Sequence, residues 1–302
     1  ASFEIAVTRA APPRRLVFLG TPQMAVAPLR ALVDAGFEIA LVVTRLDKRR
    51  GRGSELMPSP VKAAALELGL PVSHSVDAVL DVDADLGVVV AFGQLIKPHV
   101  LDAVPMVNLH FSLLPRWRGA APVERALLAG DSETGVCLMQ LEEGLDTGPV
   151  YNRVVVPIGA TTTADELRRQ LVEVGTRLLI DELTAGLDSP RPQEGEPTYA
   201  AKLRPDELRI DWARPAAEID RLVRLGGAWT TLHGKRLKIV GADMCDPAAP
   251  SSNELRDGHV GGLRLTHVQP EGKPVMPFAD FARGARLAAV EPLGATADGG
   301  ER

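Results

Sequence analysis

Cysteine is scarce in these 302 residues. Cys137 and Cys245 lie far apart, and neither has a second Cys or a His at metal-ligand spacing. Neither a disulfide framework nor a structural zinc site therefore organises the fold, and both thiols are expected to be reduced, buried or inert. Aromatic residues are few, at 4%. The longest apolar run, Leu86 to Phe92, is far shorter than the roughly 18 residues a membrane-crossing helix requires, so no membrane partner is expected. Ala1 to Arg15 carries its arginines after its apolar residues and has no continuous apolar core. It does not read as a secretory signal, and a cytoplasmic location is expected. A strong charge of one sign is also lacking. The net charge is −5, so any nucleic-acid contact must come from a local patch. Phosphate-binding glycine motifs are missing as well: the first strand-to-helix turn reads Gly20, Thr21, Pro22, Gln23, with no second or third glycine for a pyrophosphate. What is present is an ordinary soluble composition, 45% hydrophobic and 24% charged, enough for one large core or two smaller ones.

The apolar runs alternate with helical patterns. Leu16–Gly20 reads as a strand, Thr21 as a helix cap with Pro22 at the first helical position, and Met24 to Val33 as the helix. Phe37 to Thr44 is a second strand, and Pro58, Ser59 and Pro60 open a helix that runs to Leu68. The continuous apolar strands Leu86 to Phe92 and Met106 to Leu109 fit a mostly parallel sheet covered on both faces, hence a Rossmann-like α/β domain. Strands at Gly135 to Leu141 and Val150 to Val156 precede an amphipathic helix from Thr163 to Leu187. Ser189, Pro190, Pro192, Gly195 and Pro197 then suggest an extended linker. Beyond it, a helix from Ala216 to Leu225 and short strands at Trp229 to Leu232, Leu237 to Val240 and Leu263 to His267 suggest a small β-rich, OB-like barrel. The expected boundaries are an extension over 1–14, an α/β domain over 15–188, a linker over 189–206 and the β-rich domain over 207–302.

The densest chemistry lies in residues 107–122. Asn108 and His110 are two apart at the end of a strand, so their side chains leave the same face, at the edge where open α/β sheets bind ligands. Asp146 follows a later strand, between Gly144 and Gly148. Taken singly, a strand-end histidine is an ordinary structural residue and a glycine-flanked aspartate an ordinary turn. Together, an amide and an imidazole can stabilise an oxyanion while a carboxylate orients the imidazole and relays protons. Ser112 lacks a nucleophile elbow, which disfavours a serine hydrolase. Arg45, Lys48, Arg49, Arg50 and Arg52 form a basic stretch opposed only by Asp47.

At Asn108, His110 and Asp146 the sequence resembles the 10-formyltetrahydrofolate-dependent formyltransferases, whose signature pairs Asn-x-His with an Asp on a later glycine-bounded loop. It is most similar to the branch whose acceptor is methionine on initiator tRNA. That similarity rests on Gly51 to Gly53 with Leu56 to Lys62, on Ser112 to Pro122, and on Thr198 to Leu203 with Arg209 to Trp212. The resemblance implies that Asn108 and His110 stabilise a tetrahedral oxyanion and that Asp146 keeps His110 charged. It implies a folate site with Phe92, Gly93, Leu95, Ser112, Leu113, Leu114, Pro115, Gly144, Leu145 and Thr147. It also implies tRNA contacts from Arg45, Lys48, Arg49, Arg50, Arg52, Lys62, Arg236 and Lys238, with Arg52 entering the acceptor stem. No metal is implied, and a monomer is expected. Two departures from the family pattern bear on the fold: residues 71–86 leave room for only a stunted helix, and residues 241–263 lack most of a strand pair, which shortens the β-rich domain. A nucleotide-sugar formyltransferase and a catalytically lapsed RNA-binding homologue are the alternatives. A nicotinamide-dependent oxidoreductase lacks its glycine fingerprint.

Overall fold

A computed structural model describes residues 9–49 and 56–294. The chain forms two compact units, one comprising 1–123, 133–157 and 167–201, the other 124–132, 158–166 and 202–302.

The first unit is built on a seven-stranded sheet. Its strands are β1 (Arg15–Gly20), β2 (Glu38–Val43), β3 (Val72–Ser73), β4 (Leu86–Val90), β5 (Met106–His110), β6 (Glu133–Gln140) and β7 (Val150–Pro157). Their order is β7-β6-β5-β4-β1-β2-β3. The pairs from β5 through to β3 are parallel, whereas β5–β6 and β6–β7 are antiparallel. Four apolar residues in β1 and all five residues of β4 are buried, the signature of strands covered on both faces. The order reverses at β1, which pairs with β2 on one side and β4 on the other, and such a switch point opens a crevice at the carboxyl ends of the strands.

Helix starts follow local chemistry in two cases and depart from it in one. The helix Pro60–Glu67 begins with Pro60 in its first turn, and the Ser59 hydroxyl accepts from the Lys62 amide at 3.0 Å. Thr163 and Glu166 form a reciprocal capping box at the head of the helix Ala164–Ala185. Thr21, by contrast, caps nothing. Its hydroxyl donates to the Phe92 carbonyl at 3.3 Å, and a 3₁₀ turn, Gln23–Ala25, intervenes before the helix Val26–Asp34. The hydroxyl thus serves the neighbouring strand end instead of the helix start. Residues 76–81 form a 3₁₀ turn, the stunted helix anticipated for that segment.

The segment rich in proline and glycine is extended as expected, and it is pinned to the first unit. Val150 and Arg191 exchange two backbone hydrogen bonds at 2.8 Å, and Tyr199–Ala200 pairs with Arg118–Gly119. In the second unit a helix, Ala216–Leu225, packs with an antiparallel sheet. The sheet comprises β8 (Trp229–Leu232), β9 (Lys235–Met244), β10 (His259–Val260) and β11 (Leu263–Pro270), in the order β8-β9-β11-β10, and Met276–Pro277 pairs with β11. Residues Ile210, Trp212, Ile219, Val223, Leu237 and Leu265 share its core. The interval 241–263 holds the end of β9 and two strands of only two residues, Glu254–Leu255 and β10. The helix Phe278–Ala285 was not foreseen from the sequence.

Candidate active site

β5 alternates across the sheet. Leu109 packs toward the helix Ala164–Ala185 at Gly175, so Asn108 and His110 project together from the opposite face. Both are nearly enclosed, at 9% and 5% exposure. The loop joining β6 to β7, residues 141–149, folds back to bring Asp146 to them. Asn108 Nδ2 donates to Asp146 Oδ1 at 3.4 Å, and His110 Nδ1 lies 3.6 Å from Asp146 Oδ2. The Gly119 amide donates to that same Oδ2 at 2.7 Å, the shortest contact of the carboxylate among the described residues. Asp146 sits in the left-handed region at φ +51°, which costs about 1 kcal/mol for an L-residue and is borne best by Asp and Asn. Gly148 is needed beside it, because a Cβ there would collide with the Gln140 carbonyl.

His110 Nε2 lies 3.0 Å from the Trp117 carbonyl. A carbonyl only accepts, so Nε2 carries a proton in this arrangement and Nδ1 is the nitrogen that faces the carboxylate. Trp117 turns its carbonyl inward from a left-handed conformation, φ +63°, and its amide donates to Thr198 Oγ1 at 2.9 Å. The Ser112 hydroxyl is fully buried and donates to the Arg116 carbonyl at 2.6 Å. It holds the turn that carries Trp117 and does not face an open site. Behind His110, Cys137 is its direct neighbour on β6, and burial pushes that thiol up to about 11. Cys245 is exposed, so of the two cysteines only Cys137 is buried.

The other residues singled out in the sequence divide by environment. Phe92 is packed into the core with Val17 and Met106, and Leu114 is buried with Cys137 and Met139. Leu113 lies against Gly135, and Pro115 is close to Gly195. Leu95 and Leu145 stand open at 77% and 61% exposure, and Thr147 packs on Gly144. Gly93 offers its carbonyl to the Arg45 guanidinium. Lys48 and Arg49 are exposed on a two-residue ribbon paired with Leu56–Met57. Lys62 instead forms an ion pair with Asp47 at 2.7 Å. Arg50 and Arg52 lie outside the described residues. In the second unit Arg236 stacks on the Trp229 ring at 4.4 Å, Arg209 approaches the same ring at 5.6 Å, and Lys238 is paired with Trp229 across the strands. Among the described residues no group of three or more His, Cys, Asp or Glu converges for a metal, and no helix is long and apolar enough to cross a membrane.

Sequence reasoning missed the groups that hold this triad. Two are backbone groups, the Trp117 carbonyl and the Gly119 amide, which no side-chain pattern announces. The third, Gln193, comes from the presumed linker and donates to the carbonyls of Asp146 and Gly148, both at 2.8 Å.

Residues 14–183 match the formyl transferase family, and residues 202–286 match its C-terminal domain. A methionyl-tRNA formyltransferase from Roseobacter denitrificans is 44% identical over 90% of this chain and 96% of its own. One from Thermobifida fusca is 43% identical over 93% and 99%, respectively. Among solved structures, methionyl-tRNA formyltransferase from Clostridium thermocellum superposes with a TM-score of 0.57 at 14% identity, covering 87% of this chain and 99% of that one. The N-formyltransferase from Helicobacter canadensis, in complex with folinic acid and dTDP-3-aminofucose, gives 0.60 at 17% identity over 85% and 99%. These two structural likenesses speak to the fold. The family match across both units, with relatives above 40% identical over nearly the whole length, establishes that the chain belongs to the formyl transferase family, in the branch of the methionyl-tRNA formyltransferases.

Proposed function

We propose that the protein transfers the formyl group of 10-formyltetrahydrofolate to the amino group of methionine on initiator tRNA, as a cytoplasmic monomer. The observation that carries this reading is the meeting of Asn108, His110 and Asp146 at one enclosed corner of a chain so similar to methionyl-tRNA formyltransferases. Formyl transfer between two amines needs hydrogen-bond donors where the carbonyl oxygen becomes an oxyanion, and an acceptor for the proton the attacking amine sheds. It needs no side-chain nucleophile, which accords with the committed Ser112 hydroxyl.

Asn108 supplies an amide whose present bond to Asp146 is long, at 3.4 Å, and easily exchanged for a more strongly charged acceptor. His110 supplies a second donor when its Nε2–H exchanges the Trp117 carbonyl, 3.0 Å away, for the charged oxygen. Asp146, fixed by the Gly119 amide, keeps its carboxylate beside Nδ1, where it orients the ring and takes the proton that the attacking amine sheds, for return to the folate nitrogen as it departs. Each such donor is worth about 10²–10³ in rate. The open Leu95 and Leu145 give a planar pteridine apolar surface at the rim, and Lys48 and Arg49 give tRNA phosphates a cationic ribbon. Phosphate contacts of this kind orient the acceptor without reading its sequence, so discrimination is left to the acceptor end itself.

The test offers 10-formyltetrahydrofolate with methionine-charged initiator tRNA, charged elongator tRNA, uncharged tRNA and a nucleotide amino-sugar. Transfer confined to the charged initiator is the expected result. Transfer to the amino-sugar alone would replace the acceptor, and transfer to none from protein that binds tRNA would indicate a lapsed homologue.

A further inference from the structure

We propose that Gln193, held by Arg118, is a positioning residue that locks Asp146 into its catalytic conformation. The proposal rests on the formyl-transfer reading for its effect on turnover, although the lock itself is visible in the geometry alone. Gln193 Nε2 donates to the Asp146 and Gly148 carbonyls, both at 2.8 Å, and so grips the backbone on either side of Thr147. Its Oε1 accepts from Arg118 Nε at 3.1 Å and Nη2 at 2.7 Å, a two-pronged grip that fixes the orientation of the amide. A flipped amide would set NH2 against the guanidinium and oxygen against two carbonyls, so only one orientation satisfies all four contacts.

The segment that presents Gln193 is itself anchored on both sides. Upstream, Arg191 and Val150 exchange two backbone bonds at 2.8 Å; downstream, the Arg118 amide donates to the Thr198 carbonyl at 2.8 Å and the Ala120 amide to that of Ala200 at 2.9 Å. Arg118 therefore has two roles in one circuit. Its side chain holds Gln193, and the next residue, Gly119, donates its amide to Asp146 Oδ2. The carboxylate and the backbone of Asp146 are thus fixed through two consecutive residues, Gly119 directly and Arg118 by way of Gln193. The left-handed conformation of Asp146, φ +51°, is one that an aspartate adopts at some cost, and these contacts hold the chain in it. Gln193 touches neither His110 nor Asn108 among the contacts described, so any effect on turnover passes through Asp146.

Two variants separate positioning from mere packing. Gln193→Ala removes both donors. Gln193→Glu keeps an acceptor for Arg118 but turns oxygen lone pairs toward the two carbonyls, except when the carboxyl is protonated and can donate once. We expect both to lower kcat 10- to 100-fold, with KM for folate and for charged tRNA within about threefold and with thermal midpoints close to the parent. The deficit of Gln193→Glu relative to the parent is expected to shrink as pH falls toward the carboxylate range. In an Asp146→Asn background Gln193→Ala is expected to add less than threefold. Amide hydrogen exchange across residues 144–149 gives an activity-independent readout, faster in Gln193→Ala than in the parent. Parental kcat in both variants, a full 10-fold further loss in the Asp146→Asn background, or unchanged exchange across 144–149 would each overturn the proposal. A parent protein that exchanges as expected but transfers no formyl group would instead count against the reaction assigned to it and leave the lock standing.

Discussion

The two oxygens of the Asp146 carboxylate are divided between Asn108, 3.4 Å from Oδ1, and His110, 3.6 Å from Oδ2. One acid thereby aligns both candidate oxyanion donors, which leave a single strand on the same face. Asp146→Asn keeps the shape and removes the charge. It is expected to lower kcat about 10²–10⁴-fold with little change in KM for charged tRNA, as expected for a group acting mainly in the transition state. Steady-state kinetics with both substrates varied measures it, and a variant within threefold of the parent kcat would remove Asp146 from the mechanism.

Gly119 has φ +120° and lies so close to the paired segment that a Cβ would come within 3.0 Å of the Ala200 carbonyl oxygen. Gly119→Ala is therefore expected to cost about 1–3 kcal/mol of stability and also to lower kcat, because the amide that fixes Asp146 must shift. Thermal unfolding and turnover, measured on the same preparation, are expected to fall together. A stable, fully active variant would show that this amide contributes nothing to the geometry.

The thiols differ sharply in environment. Burial raises Cys137 to about 11, whereas Cys245 is exposed. At pH 8 a maleimide is expected to label Cys245 alone in the folded protein and both thiols in urea, read by intact mass. Rapid labelling of Cys137 in the folded protein would contradict the packing behind His110.

Glu207 accepts from Arg125 at 2.7 Å and caps its own turn at the Arg204 amide, and these contacts lower its carboxyl from 4.5 to about 2. A carboxyl depressed on folding stabilises the folded state above its unfolded value and loses that contribution as pH drops toward its folded value. Glu207→Gln is thus expected to cost about 1 kcal/mol at neutral pH, with the gap from the parent closing between about pH 4.5 and pH 2. Urea unfolding across that range measures it, and a gap independent of pH would assign the effect to packing.

Lys48 and Arg49 are exposed on their ribbon, whereas Lys62 is tied to Asp47. Replacing Lys48 and Arg49 together with Ala is expected to raise KM for charged tRNA several-fold and to reduce the slope of affinity against salt by about 2, leaving folate KM unchanged. An unchanged salt slope would show that the ribbon does not meet phosphate.

The parts of this protein that were legible in its sequence share one property: their signal is local. Asn108 and His110 stand two apart in a strand, Ser59 and Pro60 open a helix, and Ile210 and Trp212 alternate with exposed Arg209 and Asp211 in the motif that begins the second unit. Asp146 was legible because two glycines bracket it after a strand. Partnerships across the chain were not. Thr21 reads as a cap and instead reaches Phe92, and Gln193 sits in a stretch whose prolines and glycines say only that it is extended. The carbonyl of Trp117 and the amide of Gly119 carry no residue-type signal at all, so they emerge only when the fold brings His110 and Asp146 beside them.

The most direct measurement is a single-turnover reaction of the parent protein and of His110→Ala with 10-formyltetrahydrofolate labelled in the formyl carbon and methionine-charged initiator tRNA. After mild release of the amino acid, the account predicts labelled N-formylmethionine from the parent and at least 100-fold slower formation by a folded His110→Ala. Equal rates from the two proteins would contradict it, and so would no labelled product from a parent that binds both substrates.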